Sequence, residues 1–206
     1  MMELWCAPLP DKPPAPESLE LPADLLERKR SDRHSRHTHA SLAGYALLRK
    51  ALQSHNAGWS LRRLRLTTWG KPYLPNGPCF SLSHSGGYVM CALGRDELGL
   101  DTELVRPRPL RLPEAIFSPA ERHYVDAAAD PLAAFYWLWT RKEAVAKADG
   151  RGFSSLFPDE KPGRSRVELA GNVWFLHRVR VETGYETHIA SGRANEPILL
   201  RRTCLD

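Results

Sequence analysis

The sequence has no CxxC pair, and its four cysteines, Cys6, Cys79, Cys91 and Cys204, form no zinc-ligand spacing with the histidines. A chain of 206 residues can bury a core without disulfide staples, so the thiols read as reduced and the compartment as cytoplasmic. Long hydrophobic runs are missing too. The longest, Leu132 to Trp139, falls far short of the ~20 residues a membrane-spanning helix needs, and Met1 to Pro10 lacks the charged-then-apolar pattern of a signal peptide. These absences set aside a membrane protein and a secreted disulfide scaffold. No Walker A, G-x-G-x-x-G, zinc-finger or RNA-recognition signature is present, nor the G-x-S-x-G of a hydrolase elbow.

What is present is an ordinary soluble composition with a basic excess. A net charge of +5 and a pI near 9.2 favour an acidic partner: nucleic acid, an anionic surface, a phosphorylated ligand or an acidic protein. Six of the 17 prolines fall in residues 7–22, which reads as an extended or irregular lead-in. Ala23 to Arg36 is strongly basic, with Arg28, Lys29, Arg30, Arg33 and Arg36. Such a run is as a rule a solvated helix face, and it can also hold phosphates or a nucleic-acid backbone. Thr38 to Gln53 reads as an amphipathic helix and Leu61 to Thr67 as a half-buried strand. Gly70 to Pro78 is turn-rich. Strands follow at Cys79 to His84, Tyr88 to Leu93 and Leu98 to Leu104. Ser118-Pro119-Ala120-Glu121 starts a helix running to about Ala129, and Asp130-Pro131 caps a longer one ending near Gly150. Strand-like runs at Val173 to Val181, Tyr185 to Ala190 and Pro197 to Thr203 complete an α+β chain of two halves, 1–98 and 99–206.

Three places carry residues fit for chemistry. Asp101 and Glu103 stand at i and i+2 on one strand face, where two carboxylates repel and invite a cation; magnesium, a hard ion that takes oxygen ligands, is the natural candidate. On its own an Asp-x-Glu pair is more commonly a solvated surface pair. Glu143 and Lys147 share a helix face at i, i+4, beside Lys142 and after the aromatic stretch Phe135 to Trp139. This is either an exposed ion pair or part of a phosphate-and-metal site. Ser83-His84-Ser85-Gly86-Gly87 ends a strand in a flexible turn, with His84 either a satisfied turn histidine or a phosphate-facing imidazole.

The order and spacing of these weak signals carry more. Gly70-Lys71-Pro72, Phe80-Ser81-Leu82-Ser83-His84-Ser85, Gly99-Leu100-Asp101-Thr102-Glu103 and Trp139 to Lys147 resemble, in sequence, the four blocks of the surfactin-type 4'-phosphopantetheinyl transferases: G-K-P, (F/W)-N-x-S-H-S, G-(I/V)-D-x-E and W-(S/T/C)-x-K-E-(A/S)-x-x-K. The resemblance implies two pseudo-symmetric α/β halves with the site in the cleft between them. The first half, 1–98, would take the 3'-phosphate and adenine of coenzyme A, and the second, 99–206, the Mg2+ and the catalytic helix. It implies Asp101, Glu103 and Glu143 as magnesium ligands. Lys142 and Lys147 become contacts to the coenzyme A phosphates, His84 a pyrophosphate contact, Ser83 a further coenzyme A contact, and Lys71 and Pro72 the adenine border. Arg28, His39 and Ser41 fall in the 3'-phosphate region. Two positions depart from the pattern: Ser81 replaces the usual Asn, and Ala40 stands where the family carries Arg, with Arg36, Arg33 or Lys29 as alternatives.

The function so implied is transfer of the phosphopantetheine arm of coenzyme A to a serine of an acidic apo carrier protein, acyl or peptidyl, with release of 3',5'-ADP. Glu143 is the expected base, with Lys147 and His84 also catalytic. Nucleic acid and membrane are not expected partners, and the two-half architecture implies a monomer. The competing readings are a basic nucleic-acid-binding module and a non-catalytic relative that binds carrier proteins.

Overall fold

The computed structural model describes residues 1–30, 36–55, 58–110, 112–152 and 164–205. They divide into two units, Met1–Arg95 with Pro197–Asp206, and Asp96–Glu196. The mixed α+β class expected from the sequence is what is found.

The first unit is built on strand β1 (Met2–Pro8), followed by helices α1 (Ala23–Arg30) and α2 (Arg36–Gln53). Short strands β2 (Arg65–Leu66) and β3 (Pro72–Tyr73) pair with each other, and β4 (Cys79–Ser85) and β5 (Tyr88–Gly94) form a hairpin. β1 is buried over Met2 to Ala7 and pairs antiparallel with β5. Sequence reading passed over this strand because a strand buried on both faces shows no alternation. Leu61 to Thr67 departs from the expected strand as well. Leu61 and Leu64, three residues apart, are both buried, a spacing that suits the 3₁₀ turn found at Leu61–Arg63. The Ser60 hydroxyl caps that turn by accepting from the Arg62 N–H at 3.2 Å.

α2 lies on the sheet face made by Trp5 and Ala7 of β1, Val89, Cys91 and Leu93 of β5, and Phe80 of β4. The same row of β4 continues through Leu82 to His84.

The second unit holds β6 (Leu98–Leu104), α3 (Pro119–Asp126), α4 (Pro131–Asp149), β7 (Arg166–Leu169), β8 (Asn172–Arg178) and β9 (Tyr185–Ser191). Its sheet runs β6-β9-β8-β7, antiparallel throughout. α4 begins where the Asp130 carboxylate accepts from the Ala133 N–H at 2.9 Å and ends at Gly150, whose φ of 80° closes it. It is buried on nearly all sides, including the polar Thr140, Arg141 and Lys142, so it is a core helix rather than an amphipathic surface one.

The last strand, β10 (Ile198–Arg202), pairs parallel with β1, so the chain's final residues complete the first sheet, not the second. The division into compact units falls at Arg95–Asp96, and Pro197–Asp206 belongs to the first unit. A short parallel partner carries no local signal of which sheet it will join. Among the described residues no helix is long and apolar enough to cross a membrane.

Candidate active site

Gly99 explains the spacing of the acidic strand. A Cβ built there would lie 2.0 Å from the Ala144 carbonyl oxygen and 2.3 Å from the Ala148 nitrogen, so only glycine lets α4 lie against β6. Residues 99, 101 and 103 share that face. Register then fixes the rows beneath α4. Gly99 pairs with Ala190 and that with Leu176, an apolar row. Asp101 pairs with His188 and that with Arg178, and Glu103 pairs with Glu186. The face changes from apolar to polar within one step along the strand.

α4 adds Glu143 and Lys147 to this polar region. The Lys147 ammonium donates to Asp101 Oδ1 at 2.7 Å, and Asp101 is only 4% exposed. Burial pushes the Glu143 carboxyl up to about 7. The charges of Asp101 and Glu103 push the same way, and Lys147 opposes them. Three carboxylates are thus near enough to feel one another. All are hard oxygen donors, suited to a hard divalent cation. Among the described residues, no group of three His, Cys, Asp or Glu side chains forms a ready-made metal cage, so the three-ligand set implied by the resemblance is not assembled by the protein alone.

Lys142 lies on the same helix. Its ammonium, 1% exposed, pairs with Glu121 at 2.8 Å, and Glu121 is fully buried. Glu121 also closes the capping box of α3, accepting from the Ser118 N–H at 2.8 Å while its own N–H donates to the Ser118 hydroxyl. The ammonium lies 5.7 Å from the Phe117 ring centroid. In this arrangement the ammonium is held in a buried ion pair, and its expected contact with the coenzyme A phosphates stands as a proposal. In the sequence Glu121 was legible only as a capping residue.

Beyond the carboxylates lies a polar group that sequence reading missed. Thr140 Oγ1 donates to the Tyr136 carbonyl at 2.8 Å and lies 2.8 Å from His188 Nδ1, which places the ring proton on Nδ1. Burial drives the His188 pKa down to about 3, helped by Arg141 and Arg178, so the ring is neutral. Arg141 stacks on Trp137 at 4.2 Å, and Arg178 donates to Glu186 Oε2 at 2.7 Å. Glu186 and His188 are i, i+2 on one strand, the same signal that marked Asp101 and Glu103, but no family block contains them.

The remaining candidates sit in the first unit. His84 stands on the α2 side of β4, its ring centroid 5.0 Å from that of His37. Ser83 is buried on the opposite face, so the two do not act from one side. His39 and Ser41 lie on α2, and His39 Nε2 is buried without a hydrogen-bond partner. The Lys71 N–H donates to Thr67 Oγ1 at 3.1 Å, and Pro72 opens β3. The Arg28 side chain, like Arg33 and the side chains of Lys29 and Arg36, lies outside the described residues.

Comparison with known proteins points the same way. A family model described as the 4'-phosphopantetheinyl transferase superfamily matches residues 97–171, which hold Gly99, Asp101, Glu103, Glu121, Glu143 and Lys147. The chain is 29% identical over 189 residues to the 4'-phosphopantetheinyl transferase ffp of Bacillus subtilis, covering 85% of this chain and 84% of that protein. It is 28% identical over 185 residues to the 4'-phosphopantetheinyl transferase Sfp of Bacillus subtilis (strain 168), covering 83% and 82%. It is 38% identical over 116 residues to the 4'-phosphopantetheinyl transferase AcpT of Salmonella typhimurium (strain LT2), covering 53% and 57%. The matched segment carries the acidic strand, its glycine and the helix that supplies Glu143, and over it the chain is similar to the 4'-phosphopantetheinyl transferase superfamily.

Proposed function

We infer that this chain transfers the 4'-phosphopantetheine group of coenzyme A to a serine hydroxyl of an apo carrier protein. The observation that carries the reading is the grouping of Asp101, Glu103, Glu143 and Lys147 on one polar face, made possible by Gly99. In the reaction the serine oxygen forms a bond to the β-phosphorus of coenzyme A. The bond from that phosphorus to the oxygen of 3',5'-ADP breaks, and the serine proton goes to a base. Glu143 is the candidate for that role, since α4 sets its carboxyl beside Asp101 and Glu103. Lys147 holds Asp101 oriented and offers its ammonium to phosphate oxygens.

Asp101, Glu103 and Glu143 would hold magnesium. Such an ion keeps several waters and uses substrate phosphates as ligands, so the protein need not form a complete cage. When bound it would neutralise charge on the pyrophosphate. His84, Ser83, Lys142, Lys71, Pro72, Arg28, His39 and Ser41 remain the coenzyme A contacts of this reading, and the orphaned His39 Nε2 is a donor or acceptor ready for a ligand oxygen or water. Two pseudo-symmetric halves, an acidic carrier steered by the +5 charge, a monomeric state and a cytoplasmic location belong to the same proposal.

The test is the mass of an apo carrier incubated with the protein, coenzyme A and magnesium. A phosphopantetheine adduct that disappears with EDTA and with Asp101→Ala is expected. An unmodified carrier across a panel of acyl and peptidyl carriers overturns the activity, and an adduct undiminished by EDTA overturns the magnesium.

A further inference from the structure

Glu186 stands directly across from Glu103 on the neighbouring strand. Side chains so paired on one sheet face have Cβ atoms ~5 Å apart, and like charges there are destabilising unless something intervenes. One oxygen is accounted for, since Arg178 donates to Glu186 Oε2 at 2.7 Å. The other is not. Glu186 Oε1 is buried and has no hydrogen-bond partner, and the side chain is 9% exposed. Oε1 lies 3.6 Å from His188 Nδ1, which itself meets Thr140 Oγ1. Because His188 pairs with Asp101, this places Oε1 along the face shared with the acidic residues. A buried carboxylate oxygen without a partner carries a desolvation cost, which a hydrogen-bond donor arriving with a ligand relieves.

The geometry points to Glu186 as an outer-sphere partner of the cation that Asp101, Glu103 and Glu143 would hold, its Oε1 accepting from a water in that cation's hydration shell. Arg178 fixes the carboxylate from the solvent side, while Thr140 and His188 hold the floor of the face in one arrangement. The inference rests on the magnesium reading above. It adds a residue that lies outside the family blocks, and it assigns a use to an acceptor the protein leaves unmatched. Ions that bind through few protein ligands depend on such second contacts, whose removal costs about 10–100-fold in metal affinity.

Mn2+, which reports its own binding through loss of the free-ion spin-resonance signal, is the probe. It is titrated into the whole protein, with and without coenzyme A, for wild type, Glu186→Gln and Asp101→Ala, with the melting temperature followed in parallel. Glu186→Gln keeps the size and the Arg178 side of the group. The expected result is an affinity weakened about 10-fold or more, an unchanged melting temperature, and a loss that persists in about 0.5 M KCl, where remote charge effects are screened. Mn2+ affinity equal to wild type overturns the inference, as does a loss that vanishes in high salt. If Glu186→Gln fails to fold, Glu186→Asp, which withdraws the same oxygen by one methylene while keeping its charge, is judged by the same outcomes. Wild type that binds no Mn2+ in either condition overturns the metal reading itself, a result distinct from a silent Glu186 variant.

Discussion

At the scale of single residues, Glu143 links stability to chemistry. Its folded carboxyl titrates near 7 because of burial and two neighbouring carboxylates, whereas an unfolded glutamate titrates near 4.5. The folded state therefore holds a proton that the unfolded state releases between those values. Stability is lost as pH rises through that window, to an upper bound of about 3 kcal/mol. In metal-free protein Glu143→Gln is expected to melt roughly 5 °C above wild type at pH 8, with the gap closing towards pH 5. A melting difference that does not change between pH 5 and pH 8 would remove the linkage. Lys142 is a second case. Breaking a buried pair costs about 3–5 kcal/mol, while replacing both partners by apolar groups is often nearly neutral. Lys142→Met should thus lower the melting temperature sharply, and Glu121→Met with Lys142→Met should recover part of the loss. A raised KM for coenzyme A at unchanged stability would place Lys142 at the phosphates rather than in the pair.

At the scale of elements, the contact of α4 with β6 depends on one missing side chain. Gly99→Ala forces a methyl against the backbone of Ala144 and Lys147, neither of which can turn aside as a side-chain end can. Overpacking of this kind costs about 1–3 kcal/mol, and the shift of α4 would carry Glu143 and Lys147 away from Asp101. Transfer should fall at least 10-fold in a protein that still folds by circular dichroism, with Mn2+ affinity reduced alongside. Full activity would show that the close approach is dispensable. The glycine, the acidic pair and the lysine-glutamate helix were all legible in the sequence, because each belongs to a short block of fixed spacing. The partner of Lys142 was not, since Glu121 lies 21 positions earlier and its local role as a helix cap already accounted for it. Glu186 and His188 were hidden for a similar reason. Their importance comes from strand register against Asp101 and Glu103, and register is set by pairing between strands far apart in sequence, as in the pair Thr102 and Thr187, 85 positions apart.

At the scale of the whole molecule, the two ends of the chain meet in one sheet. β1 is bordered on one side by β5 and on the other by β10, and Arg201 of β10 donates to the Glu3 carboxylate at 3.1 Å. The Trp5 indole N–H donates to that same oxygen at 2.8 Å, so the pairing ties strand, ion pair and core aromatic together. Lys50 of α2 adds a bond to the Cys204 carbonyl at 2.8 Å. Hydrophobic pattern could find β10 but could not find its neighbour. A parallel strand closed over nearly two hundred residues has no turn to fix its register, and its loop-closure cost is met only once the rest of the sheet exists. Ending the chain at Glu196 should therefore leave β1 as an edge with unpaired amides and strip the Glu3 carboxylate of Arg201. Amide hydrogen exchange is the measurement. Faster exchange is expected at Leu4 to Cys6, with protection kept in α4, β6 and β9, whose bonds lie within Asp96–Glu196. Equal loss of protection in both groups would mean that the second unit cannot hold its fold once the first sheet is opened, and unchanged protection in β1 would mean that the parallel pairing contributes nothing to it.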